Sequence, residues 1–177
     1  RSTLDRSSAA SDVYKRQQLW ISNGIKSWCE SRDGSYLKTS PSRKKGRIHD
    51  MTIVTSKNHR NQTLKKVIEK LNFKDQIVMG SVGCKIASIL RGESNIYICL
   101  SLPGKSSPKD WDFAAPEAIL KTAGGSLTNL NNSELSYGGS NFEQGGIIVA
   151  TSDKFSHKSI CSEIMQVIRK FDLYPFD

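Results

Sequence analysis

No run of apolar residues in this 177-residue chain approaches the ~20 needed to cross a bilayer as a helix, and no charged-then-apolar leader resembles a signal peptide. A helical membrane span is therefore excluded, and a soluble protein is expected. Cysteine is sparse and unpaired in pattern. Cys29, Cys84, Cys99 and Cys161 form no C-x-x-C pair, which argues against a zinc site or a small disulfide scaffold and favours reduced, mostly buried thiols in a cytoplasmic protein. Acid is also short: 17 Asp and Glu stand against 26 Lys and Arg, for a formal net charge of +9. That balance suits a polyanionic partner, which could be nucleic acid, an anionic membrane surface or a small phosphorylated substrate. The most basic stretch, TSPSRKKGRIHD at 39–50, has no aromatic residue among its charges to stack on a base. It reads as a solvated loop, and neither polymeric nucleic acid nor a membrane is expected as partner.

The length fits one domain. Residues 1–17, RSTLDRSSAASDVYKRQ, carry almost no large aliphatic side chains and are expected to form an unpacked tail. They resemble the spurious ends found on assembled environmental reads; an ordinary disordered leader is the alternative. The domain is expected to span 18–177. Its first part, LWISNGIKSWCESRDGSYLK, alternates apolar and polar residues around Arg32–Ser35 and reads as a two-stranded hairpin.

Beyond it the pattern alternates between strand and helix. Strands are expected at Met51–Thr55, Ile77–Met79, Asn95–Leu100, Ser126–Leu130 and Gly146–Ala150. Helices are expected where Leu64, Val67, Ile68 and Leu71 share a face, at Ile86–Leu90, and where Ile160, Ile164, Val167 and Ile168 share another. This is an α/β layered fold with a mixed sheet and flanking helices. The strands near residues 51, 96 and 147 are apolar enough to be covered on both sides.

One stretch stands apart, KDWDFAAPEAILKTAGG at 109–125. Ala115, Ala118, Ile119, Thr122 and Ala123 trace a helical face, Pro116 fits the first turn, and Gly124 and Gly125 end the helix. Asp112 at the start of such a helix is, on the simplest reading, an N-cap contributing ~1 kcal/mol. Ala114 and Ala115 leave room for a ligand beside the backbone, and Trp111 is placed to wall one side.

The pattern W-D-x-A-A, followed by a helix and A-G-G, resembles the second signature of the inositol monophosphatase family, magnesium-dependent phosphomonoesterases. GSVGCK and the run RGESNIYICLSLPGKSSPKDWDFAAPE are similar to the branch acting as 3'(2'),5'-bisphosphate nucleotidase. TSKNHRN falls where that branch has an S-x-S-H loop, and WCESRDG resembles its glycine-rich hairpin. The resemblance implies a sugar-phosphatase-like fold and a Mg2+ cofactor with Asp112 among its ligands. It implies that Ser81, Gly83 and Lys85 bind phosphate, and that Lys105, Lys109, Ser56 and His59 hold the second phosphate or the sugar. The substrate it implies is a small bisphosphate nucleotide; inositol monophosphate and sugar bisphosphates are the alternatives within the family. A non-catalytic phosphate- or nucleic-acid-binding domain is the alternative of another class.

One family element has no counterpart. The acidic pair and the D-P-x-D-G-[ST] motif of the family's first half are missing, and Asp33, Gly34 and Ser35 mimic only the motif's tail. No catalytic residue is therefore assigned. The chain is expected to be the C-terminal part of a longer enzyme, inactive alone, with exposed apolar surface that invites self-association such as a homodimer.

Overall fold

The computed structural model describes residues 8–12, 18–31, 36–38, 47–57 and 61–176. Among the described residues two sheets and four α-helices stack in alternating layers. The first sheet is antiparallel, in the order β1 (Ser8–Asp12), β2 (Gln18–Ser22), β3 (Ser27–Ser31), β4 (Tyr36–Lys38). The second has five strands: β5 (Thr52–Ser56), β6 (Asp75–Met79), β7 (Ile96–Ser101), β8 (Ser126–Asn129) and β9 (Gly146–Thr151), in the order β6-β5-β7-β9-β8. β5 pairs parallel with β6 and β7, whereas β9 pairs antiparallel with β7 and β8, so the sheet is mixed as the sequence pattern implies.

The period-two alternation of the central strands builds two cores. Ile53, Ile96, Ile98, Ile147 and Val149 face α1 (Gln62–Leu71) and α4 (Lys154–Lys170), packing on Leu64, Val67, Ile160 and Ile164. Val54, Tyr97, Ile148 and Ala150 face α2 (Val82–Leu90) and α3 (Asp110–Thr122), where they meet Ile86, Ile89, Phe113 and Ile119. Trp20 and Cys29 of the first sheet close that second core from the far side of α2 and α3. The layers thus run sheet, helices, sheet, helices. The strands read as doubly covered, β5, β7 and β9, are the three interior ones. None of the four cysteines is in a disulfide, and Cys99 is half-buried and the others buried. Among the described residues no helix is long and apolar enough to cross a membrane.

The structure differs from the sequence reading at four places. Ser8–Asp12, read as tail, forms β1 and pairs in register with β2, because a backbone ladder needs no apolar side chains. The segment after residue 18 has three strands rather than two. The missed turn is Asn23-Gly24: the Asn23 side chain accepts from the Ile25 and Lys26 amides, and Gly24 takes φ +82. The expected turn at Arg32–Ser35 lies outside the described residues, as do 39–46 of the basic loop. The end of that loop is a short 3-10 turn, Ile48–Asp50, which buries Ile48 completely. Finally, α2 begins at Val82, one turn before the apolar run that marks it, because Ser81 caps it there by accepting from the Cys84 amide at 3.1 Å.

Candidate functional site

In a parallel strand–helix arrangement the carboxyl ends of strands and the amino ends of the following helices meet on one edge of the sheet, and ligands bind along that edge. Here β5 ends at Ser56, β6 at Met79 and β7 at Ser101, and α1, α2 and α3 start beside them. Between these ends lies a cleft of about 660 Å3, whose lining includes Ser56, Asn61, Gly80, Ser81, Lys85, Tyr97, Cys99, Lys105, Ser107 and Asp112.

Each helix start is locally determined. Asn61 caps α1, its Oδ1 accepting from the Leu64 amide at 2.7 Å while its Nδ2 donates to Leu100 O at 3.1 Å. Ser81 caps α2 as described. The Val82 and Gly83 amides occupy the first turn of α2, where a helix has no internal acceptor to offer. A Cβ placed on Gly80 would meet nothing within 4 Å, and Gly80, Ser81 and Val82 all line the cleft, so this corner borders open space. Unpaired amides and the helix dipole give this corner a partial positive charge, a ready anion site.

Lys85 supplies the full charge. Only 2% exposed, it lines the cleft, its Nζ donating to Gly80 O at 2.7 Å and lying 5.2 Å from the Tyr97 ring centroid. Burial pulls its ammonium down from 10.5 to about 8, against the opposing pull of Cys99, Cys84 and Asp112. Burial likewise pushes the Tyr97 hydroxyl and the Cys99 thiol up; Tyr97 has both Cys99 and Ser56 as hydrogen-bond partners. The cleft floor is therefore a buried ammonium among neutral hydroxyl and thiol groups, short of negative charge. Asp112 is the exception.

Asp112 is not an N-cap: Lys109 holds that position and Asp112 is the third residue of α3. Its Oδ2 accepts from the Lys109 amide at 2.9 Å, which fixes the carboxylate at the cleft edge. Trp111, expected to wall the site, is 65% exposed, lies outside the cleft lining and packs against Phe142 with ring centroids 6.0 Å apart. At the second position of α3 its side chain points about 100° away from that of Asp112.

Of the residues singled out in the sequence, the cleft gathers Ser56, Ser81, Lys85, Lys105 and Asp112. Gly83 lies in the first turn of α2, next to Val82 of that lining. Lys109 is turned away, its ammonium held by Glu143 Oε1 at 2.8 Å and Asn141 O at 3.1 Å. His59 lies outside the described residues. Sequence reasoning missed Asn61, Tyr97 and Cys99. The signal for the last two was the alternation along Ile96–Cys99, which sends Tyr97 and Cys99 to the face opposite Ile96 and Ile98.

A magnesium site asks for several hard oxygen ligands. Among the described residues no group of three or more His, Cys, Asp or Glu is placed to hold a metal, and Asp112 is the one carboxylate in the cleft. These residues offer one ligand position and do not by themselves form a magnesium centre.

Fold and cleft define a layered α/β protein with a lysine-floored cleft at the carboxyl edge of its mixed sheet. The sequence profile of the inositol monophosphatase family matches residues 8–169, and the chain belongs to that family of phosphatases. It is 34% identical over 104 residues to mouse 3'(2'),5'-bisphosphate nucleotidase 1, covering 59% of this chain and 30% of that protein. To the rat protein of the same name it is 33% identical over 129 residues, covering 73% of this chain and 37% of the relative. The chain thus spans about a third of the length of these curated relatives. The crystal structure of a staphylococcal IMPase-II shares the fold, with a TM-score of 0.66 at 18% identity over 94% of this chain and 60% of that one.

Proposed function

We propose that the chain forms the substrate-gripping part of a magnesium-dependent phosphomonoester hydrolase, and that its substrate is a 3'(2'),5'-bisphosphate nucleotide such as adenosine 3',5'-bisphosphate. The observation that carries this reading is Lys85, a buried ammonium with one hydrogen-bond acceptor among the described residues, beside the open first turn of α2. A phosphate there accepts from the Val82 and Gly83 amides and from Nζ, relieving the desolvation of the lysine as it binds. Lys105, exposed at the cleft margin, is within the same lining and meets the second phosphate as a point charge. Likeness to the bisphosphate nucleotidases of mouse and rat favours this substrate class over inositol monophosphate.

Magnesium would neutralise charge on the transferring phosphoryl group and activate water. Asp112 would supply one ligand, with the remaining carboxylates coming from residues other than those described here. On this reading the 177-residue chain alone should not turn substrate over.

The test is phosphate release from adenosine 3',5'-bisphosphate with magnesium, by this chain and by the same chain joined to its upstream reading frame. Turnover by the extended protein, lost in Asp112→Asn, is the expected result. Turnover by the isolated chain, or full activity of the extended Asp112→Asn variant, refutes the reading.

A further inference from the structure

A second carboxylate, Asp110, lies two residues before Asp112, yet it faces away from the cleft. It is 8% exposed at the first position of α3, and among the described residues no cationic side chain pairs with it. An unpaired buried carboxylate is costly unless its lone pairs are filled by donors. Here both oxygens are served by the 131–145 loop. Oδ2 accepts from the Gly138 amide at 2.7 Å, and Oδ1 accepts from Gln144 Nε2 at 2.6 Å. Gln144 is itself 6% exposed and also donates to Ser136 O at 2.7 Å, so its amide ties the loop to the helix.

Two backbone bonds extend the tie. The Asp110 amide donates to Phe142 O at 2.8 Å and the Gln144 amide donates to Pro108 O at 2.8 Å, so residues 108–110 are zipped to 142–144. Lys109, between them, forms an isolated antiparallel bridge with Glu143. The first turn of α3 thus has a fixed direction before any ligand arrives, and that turn carries Asp112. One oxygen of Asp112 is taken by the Lys109 amide, within the same zipped segment, so the attitude of Lys109 is passed to the Asp112 carboxylate.

The geometry points to Asp110 as a positioning residue: by gripping Gln144 and Gly138 it holds the first turn of α3 so that Asp112 keeps facing the cleft. An apolar residue in the same pocket would fill space but would not define a direction, because only paired donors and acceptors fix an angle. The inference rests on reading the cleft as a phosphate-ester site in which Asp112 is a working carboxylate.

The test is amide hydrogen exchange on the 15N-labelled chain, comparing Lys109, residue 110 and Asp112 with Ile164 and Ile168 of α4 as reporters of global stability. Asp110→Asn keeps the shape but turns a donor towards a donor. Exchange at the three α3 amides is expected to rise about tenfold, with the α4 amides held within about twofold. Gln144→Leu, which releases the grip from the loop side, is expected to give the same local pattern. When Asp110→Asn is combined with Gln144→Glu, the amide now at position 110 donates to the new carboxylate at position 144 while Ser136 O loses its donor, so part of the protection at Lys109 and Asp112 returns. Equal acceleration at both sets, no acceleration at α3, or no recovery in the double variant overturns the positioning role. Retained turnover in the Asp112→Asn enzyme would refute the cleft reading and leaves the exchange pattern untouched, so the two failures are distinguishable.

Discussion

Replacing Lys85 with methionine removes a buried charge while keeping an unbranched side chain, and the structure fixes how that change should depend on pH. The ammonium sits at about 8 in the folded chain against an ordinary 10.5. Below about pH 8 both states are protonated, and the fold carries the full cost of the buried charge. As pH rises from 8 towards 10.5 the folded chain gives up its proton first, so the unfolded state holds more protons and stability rises. Between about pH 7 and pH 9 this single group contributes a gain of about 1.3 kcal/mol. Cys99 and Cys161 oppose the trend, since burial raises both thiols and their contribution falls once the unfolded thiols ionise near 9. The wild type alone therefore shows a flattened profile. The difference between wild type and Lys85→Met isolates the lysine: the advantage of the methionine variant, measured by urea unfolding, should shrink by about 1.3 kcal/mol from about pH 7 to pH 9. A difference that stays constant across that interval would refute the picture of a charge held in a dry cleft floor.

Two further outcomes concern the scaffold. A Cβ on Gly125 would lie 2.6 Å from Leu120 Cδ1 and 2.6 Å from Thr151 O, so Gly125→Ala should destabilise by about 1–3 kcal/mol in urea titration, whereas Gly139→Ala, where a Cβ meets nothing, should be nearly silent. His157 is 2% exposed, its Nε2 against Thr128 Oγ1 at 2.7 Å and its Nδ1 against Thr151 Oγ1 at 2.8 Å. Burial pulls it from 6.5 to about 4, so the unfolded chain protonates first on acidification, and stability should fall by up to about 3 kcal/mol as pH drops from 6.5 towards 4. His157→Gln should flatten that slope, and an unchanged acid profile would sink the assignment.

Element type was legible from the chain wherever periodicity was strong. The doubly apolar strands β5, β7 and β9 and the stripes of α1 and α4 needed no tertiary information, because burial on both faces or on one stripe writes itself into the spacing of Ile, Leu and Val. Hairpins were less legible. The Asn23-Gly24 turn was masked by the Asp33-Gly34 pair nearby, and a turn depends on a couple of residues where a helix depends on its whole length. Residues at strand ends and caps that line the cleft, such as Ser56, Ser81 and Lys85, could be named from the resemblance of their segments to a known family. Alternation puts Tyr97 and Cys99 on one face of β7, but an apolar strand gives no sign of which face meets the cleft until its neighbours are placed. Lys109 shows the converse: its charge fits a phosphate, but Glu143, 34 residues away in sequence, claims it. Contacts of that separation leave no local trace.

The central claim is that the Lys85 cleft grips a nucleotide bearing two phosphates, and calorimetric titration of the chain near pH 7 tests it most directly. Adenosine 3',5'-bisphosphate should bind about tenfold tighter than adenosine 5'-monophosphate, a preference reduced in Lys105→Met, with binding of both nucleotides weakened at least about tenfold in Lys85→Met. Equal affinity for the two nucleotides, or binding indifferent to the loss of Lys85, would contradict it.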